Sequence, residues 1–209
     1  MEPIMLAKKI VVLANSIKHG NHCIAGKCLT TGVWIRPVST ANGSALDNRQ
    51  IMCRNPHGSF KVKTLQKVYM QFTSAVPLVN QPENYLIAAN SEWQQNYGIG
   101  LNDLLGLLDA PISIWGEGNR ISYQAIIQNE CKPKQSLFLV QTKNLILYYS
   151  AENKPRVQFT YKGIPYDLPA TDPRFDDIVR EKSDTLGIIC ISLAEEYHGY
   201  CYKIAAAIY

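Results

Sequence analysis

Cations, imidazoles and an indole are concentrated between Lys18 and Arg36, in two strand-like runs separated by a Thr-Thr-Gly turn. Because side chains alternate along a strand, Lys27, Trp34 and Arg36 are predicted to share one solvated face. Such a face offers phosphate contacts and a stacking surface, which single-stranded nucleic-acid binders use together. The alternative interpretation is that Trp34 packs against a hydrophobic core and that the two cations are ordinary surface residues.

The net charge of +4 is unevenly distributed along the 209 residues. Residues 1–75 contain ten Lys and Arg and two acidic residues, a charge of +8, whereas residues 76–150 and 151–209 each carry a charge of −2. A one-sided excess creates a positive potential that attracts polyanions, so an anionic partner is expected to bind the N-terminal third. The residues predicted to contact nucleic acid are Lys18, His19, His22, Lys27, Trp34, Arg36, Arg49 and Arg54.

Strand-like runs predominate in both terminal thirds of the chain. The segment 39–58 lacks any periodicity and is predicted to be a long surface loop, and the segment 91–108 is predicted to form two short helices. From residue 136 onward the pattern predicts three strands, a helix from Pro173 to about Lys182, and two further strands. This is the element order of a five-stranded OB barrel, in which the helix lies between the third and fourth strands.

The predicted architecture is therefore mainly β, with two OB-like five-stranded barrels joined by a short helical bridge. The basic N-terminal barrel is predicted to span residues 1–82 and the helical bridge residues 83–110. The C-terminal barrel is predicted to span residues 111–209. The strand count of the N-terminal third is similar to that of the C-terminal part, with a long loop where the helix would be.

Several segments carry a family resemblance. They are IVVLANS, HCIAGK and GVWIRPVS near the start, FTYKGIPYDLPATDPRF in the third quarter and LGIICISLAEEYHGYCYKIAAAIY at the end. These segments resemble those of the prokaryotic dual OB-fold domain family. The resemblance implies two OB-like barrels and a role in binding nucleic acid or nucleotides, and it implies no catalytic residues. Among the recurring positions of the family, Gly26, Pro37 and Gly199 are best explained by backbone geometry.

Histidines and cysteines are frequent between His19 and His57, but their spacing does not favour a zinc site. Structural zinc sites usually draw two ligands from a tight knuckle, whereas Cys23 and Cys28 lie five residues apart and are predicted to point to opposite faces of a strand. The stretch GNHCIAGK has one residue too many for a P-loop and lacks the Ser or Thr that would follow Lys27. No metal or other cofactor is expected.

The function that these patterns favour is non-catalytic binding of nucleic acid, most simply single-stranded, or of a nucleotide by the N-terminal barrel. Two alternatives stay open: an enzyme acting on a nucleotide or nucleic acid with His19 or His22 as general base, and a protein-interaction module for an acidic partner. The C-terminal barrel is interpreted as a scaffold or as a surface for a protein partner. The N-terminus does not match a signal peptide and no run of residues could span a bilayer, so a cytoplasmic protein without membrane contact is expected.

Overall fold

The computed structural model describes residues 6–89, 92–181 and 185–209. Two compact units divide the chain: the first comprises the chain up to Leu78 together with Pro82–Leu107, and the second comprises Val79–Gln81 together with Leu108–Tyr209. Both units are built mainly from β-strands, so the predicted mainly β fold with two OB-like units is confirmed. Among the described residues, no helix is long and apolar enough to cross a membrane.

The N-terminal unit contains strands β1 to β8 and a 3₁₀ helix. Their bounds are Leu6–Lys18, Asn21–Cys28, Trp34–Val38, Met52–Asn55, Gly58–Lys61, Gln66–Ala75, Asn84–Ile87 and Trp93–Gly98 for the strands, and Leu101–Leu107 for the helix. Strand β1 pairs antiparallel with both β2 and β6. Strand β3 pairs antiparallel with β2 and parallel with β7, which pairs antiparallel with β6. The five strands therefore close into a barrel with the order β1-β2-β3-β7-β6-β1, as in an OB fold.

Aliphatic and aromatic side chains fill this barrel, because alternate residues of each strand point inward. The buried cluster includes Ile10 and Val12 of β1, Ile24 of β2, Ile35 of β3 and Phe72 of β6. The strands also require close backbone approach at Gly26, where a Cβ atom would lie 2.1 Å from the carbonyl oxygen of Val11. The interpretation of Gly26 as a backbone requirement is therefore confirmed.

Two predictions for the N-terminal unit are wrong. The segment 39–58 is not a loop throughout, since it contains β4, and its residues Ile51 and Cys53 belong to the buried cluster. The bridge predicted over 83–110 is not wholly helical: it contains β7 and β8, and only residues 101–107 form a helix. Strand β8 pairs with β6 and buries Trp93, so tertiary pairing overrides the weak local preference of this polar segment. Ser91, the predicted start of a helix, lies outside the described residues.

The C-terminal unit contains strands β9 to β15 and two helices. The strands are Arg120–Ser122, Leu137–Gln141, Lys143–Tyr149, Pro155–Tyr161, Ile164–Pro169, Ile188–Tyr197 and Tyr200–Ile208, and the helices α1 and α2 are Tyr123–Ile127 and Phe175–Glu181. Helix α2 lies between β13 and β14, so a helix between the third and fourth OB strands is confirmed.

The strands of the C-terminal unit follow the OB order but do not close as the N-terminal barrel does. They form a sheet β11-β12-β13 and a curled sheet β10-β14-β15-β9. The first OB strand is divided into β10 and β11 at Thr142. A parallel bridge between Ala170 and Ala205 connects the two sheets at the position where the third and fifth OB strands pair. The predicted OB-like barrel of the C-terminal unit thus takes the form of a curled half-barrel.

Candidate nucleic-acid interface

The residues on which the sequence prediction rested do share one face of the β2–β3 pair. Lys27 and Trp34 are direct cross-strand partners, with the Lys27 ammonium 5.2 Å from the centre of the indole ring. Arg36 follows two residues after Trp34 on the same side of β3. The face is buried, however: the exposed fractions of Lys27, Trp34 and Arg36 are 7%, 2% and 7%. The prediction that this face is solvated is wrong.

Partners distant in the sequence account for the burial of the two cations. The Lys27 ammonium donates a hydrogen bond of 2.7 Å to the carbonyl oxygen of Leu107, at the end of the 3₁₀ helix. The Arg36 guanidinium forms an ion pair with Glu83 at 3.4 Å, and both side chains are almost fully buried. Burying a charge is costly unless it is paired, so these contacts are what makes the buried positions tolerable. Both cations therefore have a structural role within the N-terminal unit.

The turn between β1 and β2 carries the next predicted contacts. Lys18 and His19 are exposed there, and His19 and Gly20 both have positive φ values, 51° and 78°, as a tight hairpin turn requires. His22 is 7% exposed and lies inside the hairpin. The ring of His22 contacts two amide oxygens, those of Asn15 at 2.8 Å and Asn48 at 3.2 Å. His22 thus connects the hairpin to the segment that precedes β4.

Arg49 and Arg54 are both exposed, but acidic residues accompany them. Arg54 lies 3.7 Å from Glu92, and both side chains are more than half exposed. Arg49 lines an open cavity of about 590 Å³ together with Asp47. Hydrogen bonds from the backbone N–H groups of Gln50 and Arg49 lower the pKa of Asp47, so its carboxylate is charged and offsets part of the positive potential.

A smaller pocket on the outer surface of the barrel combines cations with aromatic rings. It lies across β1, β6 and β8 and has a volume of about 340 Å³, and its lining includes Lys9, Leu29, Lys67, Tyr69 and Tyr97. Lys9 is the direct cross-strand partner of Tyr69. We call this the Tyr97 pocket.

Tyr97 is the most distinctive member of the Tyr97 pocket. Its side chain is 85% exposed, although a tyrosine ring ordinarily buries much of its surface. Its φ of 63° places the backbone in the left-handed region, which is uncommon for a residue other than glycine. Strained backbone of this kind is frequent at binding sites, and an exposed ring is the kind of surface on which a nucleobase stacks.

The sequence contained only part of the signal for the Tyr97 pocket. Lys67 and Tyr69 lie two residues apart in the N-terminal third, where strand-like runs predominate, so a shared face could have been inferred. Tyr97 could not be placed with them, because the residues around it were predicted to be helical. The pairing of β8 with β6 brings Tyr97 to this face.

Within residues 6–89, 92–181 and 185–209, no three His, Cys, Asp or Glu side chains are grouped closely enough to hold a metal ion. The described surface of the barrel instead offers ammonium groups beside phenol rings. Such an arrangement can contact phosphates and stack planar bases.

Comparison with models of known protein families gives a match. Residues 8–208 match the family model described as a dual OB-containing domain. None of the curated proteins matches the chain. The match covers nearly the whole sequence and includes both structural units.

Proposed function

The chain belongs to the dual OB-containing domain family, and from this premise we propose that it binds single-stranded nucleic acid on its N-terminal barrel without catalysing a reaction. OB folds commonly bind oligonucleotides on the surface of the barrel. The proposal keeps the predicted ligand and the predicted barrel. It moves the contact surface away from Lys27, Trp34 and Arg36, which are buried.

The observation that carries the proposal is the composition of the Tyr97 pocket. Its two lysines come from neighbouring strands, and its two tyrosines lie beside them. A volume of about 340 Å³ lies within the range of small-ligand sites and suits one nucleotide at a time. Rings that stack bases next to ammonium groups that contact phosphates are the features by which proteins hold single strands without reading their sequence.

The distribution of charge supports the same location. Residues 1–75, which include Lys9 and Lys67, carry a charge of +8. Lys18, His19 and Arg49 add exposed positive or polar groups to the same unit, and we assign them a role in attracting the phosphate backbone. Arg54 contributes less to this attraction, because Glu92 lies beside it.

The surroundings of His22 argue against this residue as the general base of the enzymatic alternative. A general base needs a ring nitrogen that faces the substrate proton. Both ring nitrogens of His22 instead lie within hydrogen-bonding distance of asparagine side chains, and the ring is almost fully buried. The geometry around His22 therefore favours a structural role for the hairpin.

Substitution of Tyr97 by Ala tests the proposal. We expect the affinity for a fluorescently labelled oligothymidylate to fall about 5- to 150-fold, since the stacking of one base on an aromatic ring contributes about 1 to 3 kcal/mol. The ring is exposed, so the folding stability should change by less than about 0.5 kcal/mol. Fluorescence anisotropy gives the affinity, and thermal unfolding gives the stability.

A matched control is Tyr149→Ala, which removes a partly exposed ring from the C-terminal unit. This variant should bind the oligothymidylate as the unaltered protein does. Equal losses in both variants would refute the assignment to the Tyr97 pocket. Binding of polyglutamate in place of the oligonucleotide would favour the alternative of a module for an acidic protein partner.

A further inference from the structure

A second cavity, within the C-terminal unit, has walls of aromatic rings and a rim of lysines. Its volume is about 470 Å³, and its lining includes Trp115, Phe138, Ile121, Lys132 and Lys134. The rings of Trp115 and Phe138 lie 4.6 Å apart with an angle of 34° between their planes. We call this the Trp115 pocket. None of the residues predicted to bind nucleic acid lies in it.

The backbone at Trp115 is held in an unfavourable conformation. Its φ is 49°, in the left-handed region that a bulky residue rarely adopts. The indole N–H donates a hydrogen bond of 2.9 Å to the carbonyl oxygen of Gln135, another residue of the lining, and this bond fixes the orientation of the ring. Such strain persists only where the surroundings enforce it, and it is concentrated at functional sites.

A buried lysine holds the backbone next to Trp115 in this conformation. Lys203 is fully buried, and its ammonium donates hydrogen bonds of 2.8, 3.1 and 3.0 Å to the carbonyl oxygens of residues 116–118, directly after Trp115. The hydroxyl group of Tyr166 donates a further hydrogen bond of 3.0 Å to the carbonyl oxygen of Gly116. Burial lowers the pKa of Lys203 to about 8, so the ammonium remains protonated at pH 7. The indole is thus positioned before any ligand arrives.

We propose that the Trp115 pocket binds a nucleobase that carries a phosphate group. The preorganised rings of Trp115 and Phe138 provide the stacking surface, and Lys132 and Lys134, both exposed at the rim, provide the phosphate contacts. The volume suits one nucleotide. The same chemistry is presented by a free mononucleotide and by the phosphorylated end of a strand. This site stands independently of the Tyr97 pocket.

Tryptophan fluorescence makes the pocket directly observable. The chain contains three tryptophans, and Trp34 and Trp93 are only 2% and 1% exposed, whereas Trp115 is partly exposed. A base stacking in the pocket should therefore quench the emission of Trp115 selectively. Titration with adenosine monophosphate is expected to give saturable quenching, and the Trp115→Phe variant should lose this signal.

The double variant Lys132→Glu with Lys134→Glu is expected to bind adenosine monophosphate at least about tenfold more weakly, since two charge-assisted contacts are removed. Adenosine, which lacks the phosphate, should bind the unaltered protein more weakly by a similar factor. Tyr97→Ala should leave the quenching by adenosine monophosphate unchanged. The proposals for the Tyr97 pocket and for the Trp115 pocket can therefore be refuted separately. Both rim lysines are exposed, so the double variant should fold normally.

The source of the ligand is decided by two oligothymidylates that differ only in a 5′-phosphate. Quenching by adenosine monophosphate supports a free nucleotide as the ligand, and quenching only by the 5′-phosphorylated strand supports a strand end. The proposal is overturned if neither phosphate-bearing probe quenches saturably. It is equally overturned if adenosine binds as tightly as adenosine monophosphate, or if the double variant binds as tightly as the unaltered protein.

Discussion

Replacement of Trp34 by Ala is expected to lower the free energy of unfolding by about 3–5 kcal/mol, the range for truncation of a large buried aromatic residue. The indole is 2% exposed and forms a cation–π contact with the Lys27 ammonium at 5.2 Å, so the truncation removes both buried area and a partner of a buried charge. For a chain of this size, the midpoint of thermal unfolding should fall by roughly 6–20 °C.

The neighbouring residue provides the control for Trp34→Ala. Val33 is 58% exposed, and Val33→Ala should change the free energy of unfolding by less than about 0.5 kcal/mol. Circular dichroism during heating compares both variants with the unaltered protein. The assignment of Trp34 to the core would be contradicted by a Trp34→Ala protein that unfolds at the same temperature as the unaltered protein but binds the oligonucleotide more weakly. The indole would then belong to the ligand-binding face.

The affinity for a single-stranded oligonucleotide should fall about fifty-fold as the salt concentration rises from about 50 to 200 mM. This figure follows from about four phosphate contacts, each of which releases condensed counterions with a slope of roughly −0.7 for single strands. The N-terminal unit supplies enough cations for this number, including Lys9, Lys18, Arg49 and Lys67. Anisotropy titrations at several salt concentrations give the slope directly.

Substitution of single lysines shows how much each one contributes to the dependence of affinity on salt. Lys67→Ala should weaken binding and make the salt slope shallower by roughly 0.7, the share of one phosphate contact on a single strand. Lys154→Ala is the matched control, because this lysine lies in the C-terminal unit, is 72% exposed and pairs with Glu152. The control should leave the slope unchanged. An affinity that does not depend on salt would contradict binding through phosphate contacts.

Much of the fold could be predicted because it depends on local periodicity. The strand-like runs of β1, β2 and β3, and the order of strands around helix α2, are visible in the sequence and predict the mainly β, OB-like architecture. The shared face of Lys27, Trp34 and Arg36 also follows from strand parity. These features require no knowledge of contacts distant in the chain.

The solvent exposure of that face could not be predicted, because it depends on partners far away in the sequence. Leu107 is 80 residues from Lys27, and Glu83 is 47 residues from Arg36. Nothing in the alternation of β2 and β3 indicates that these partners fold back onto the face. Similarly, Tyr97 reaches its pocket through the pairing of β8 with β6, which overrides the local pattern.

The Trp115 pocket could not be predicted from the sequence for a related reason. The strained turn after Trp115 has no sequence periodicity, and the side chain that holds it, Lys203, is 87 residues from Gly116. A lysine within an apolar strand near the C-terminus was the only available signal. Its burial becomes meaningful only when the three carbonyl oxygens around its ammonium are known.

The central claim, that a single strand lies on the Tyr97 pocket of the N-terminal barrel, is tested most directly by photocrosslinking. An oligothymidylate that contains 4-thiothymidine is irradiated in complex with the full chain, and the modified residues are identified by mass spectrometry. We predict that the adducts lie on Tyr97 or Tyr69, and that excess unlabelled oligothymidylate suppresses them. Adducts confined to the C-terminal unit, or absent from both tyrosines, would contradict the account.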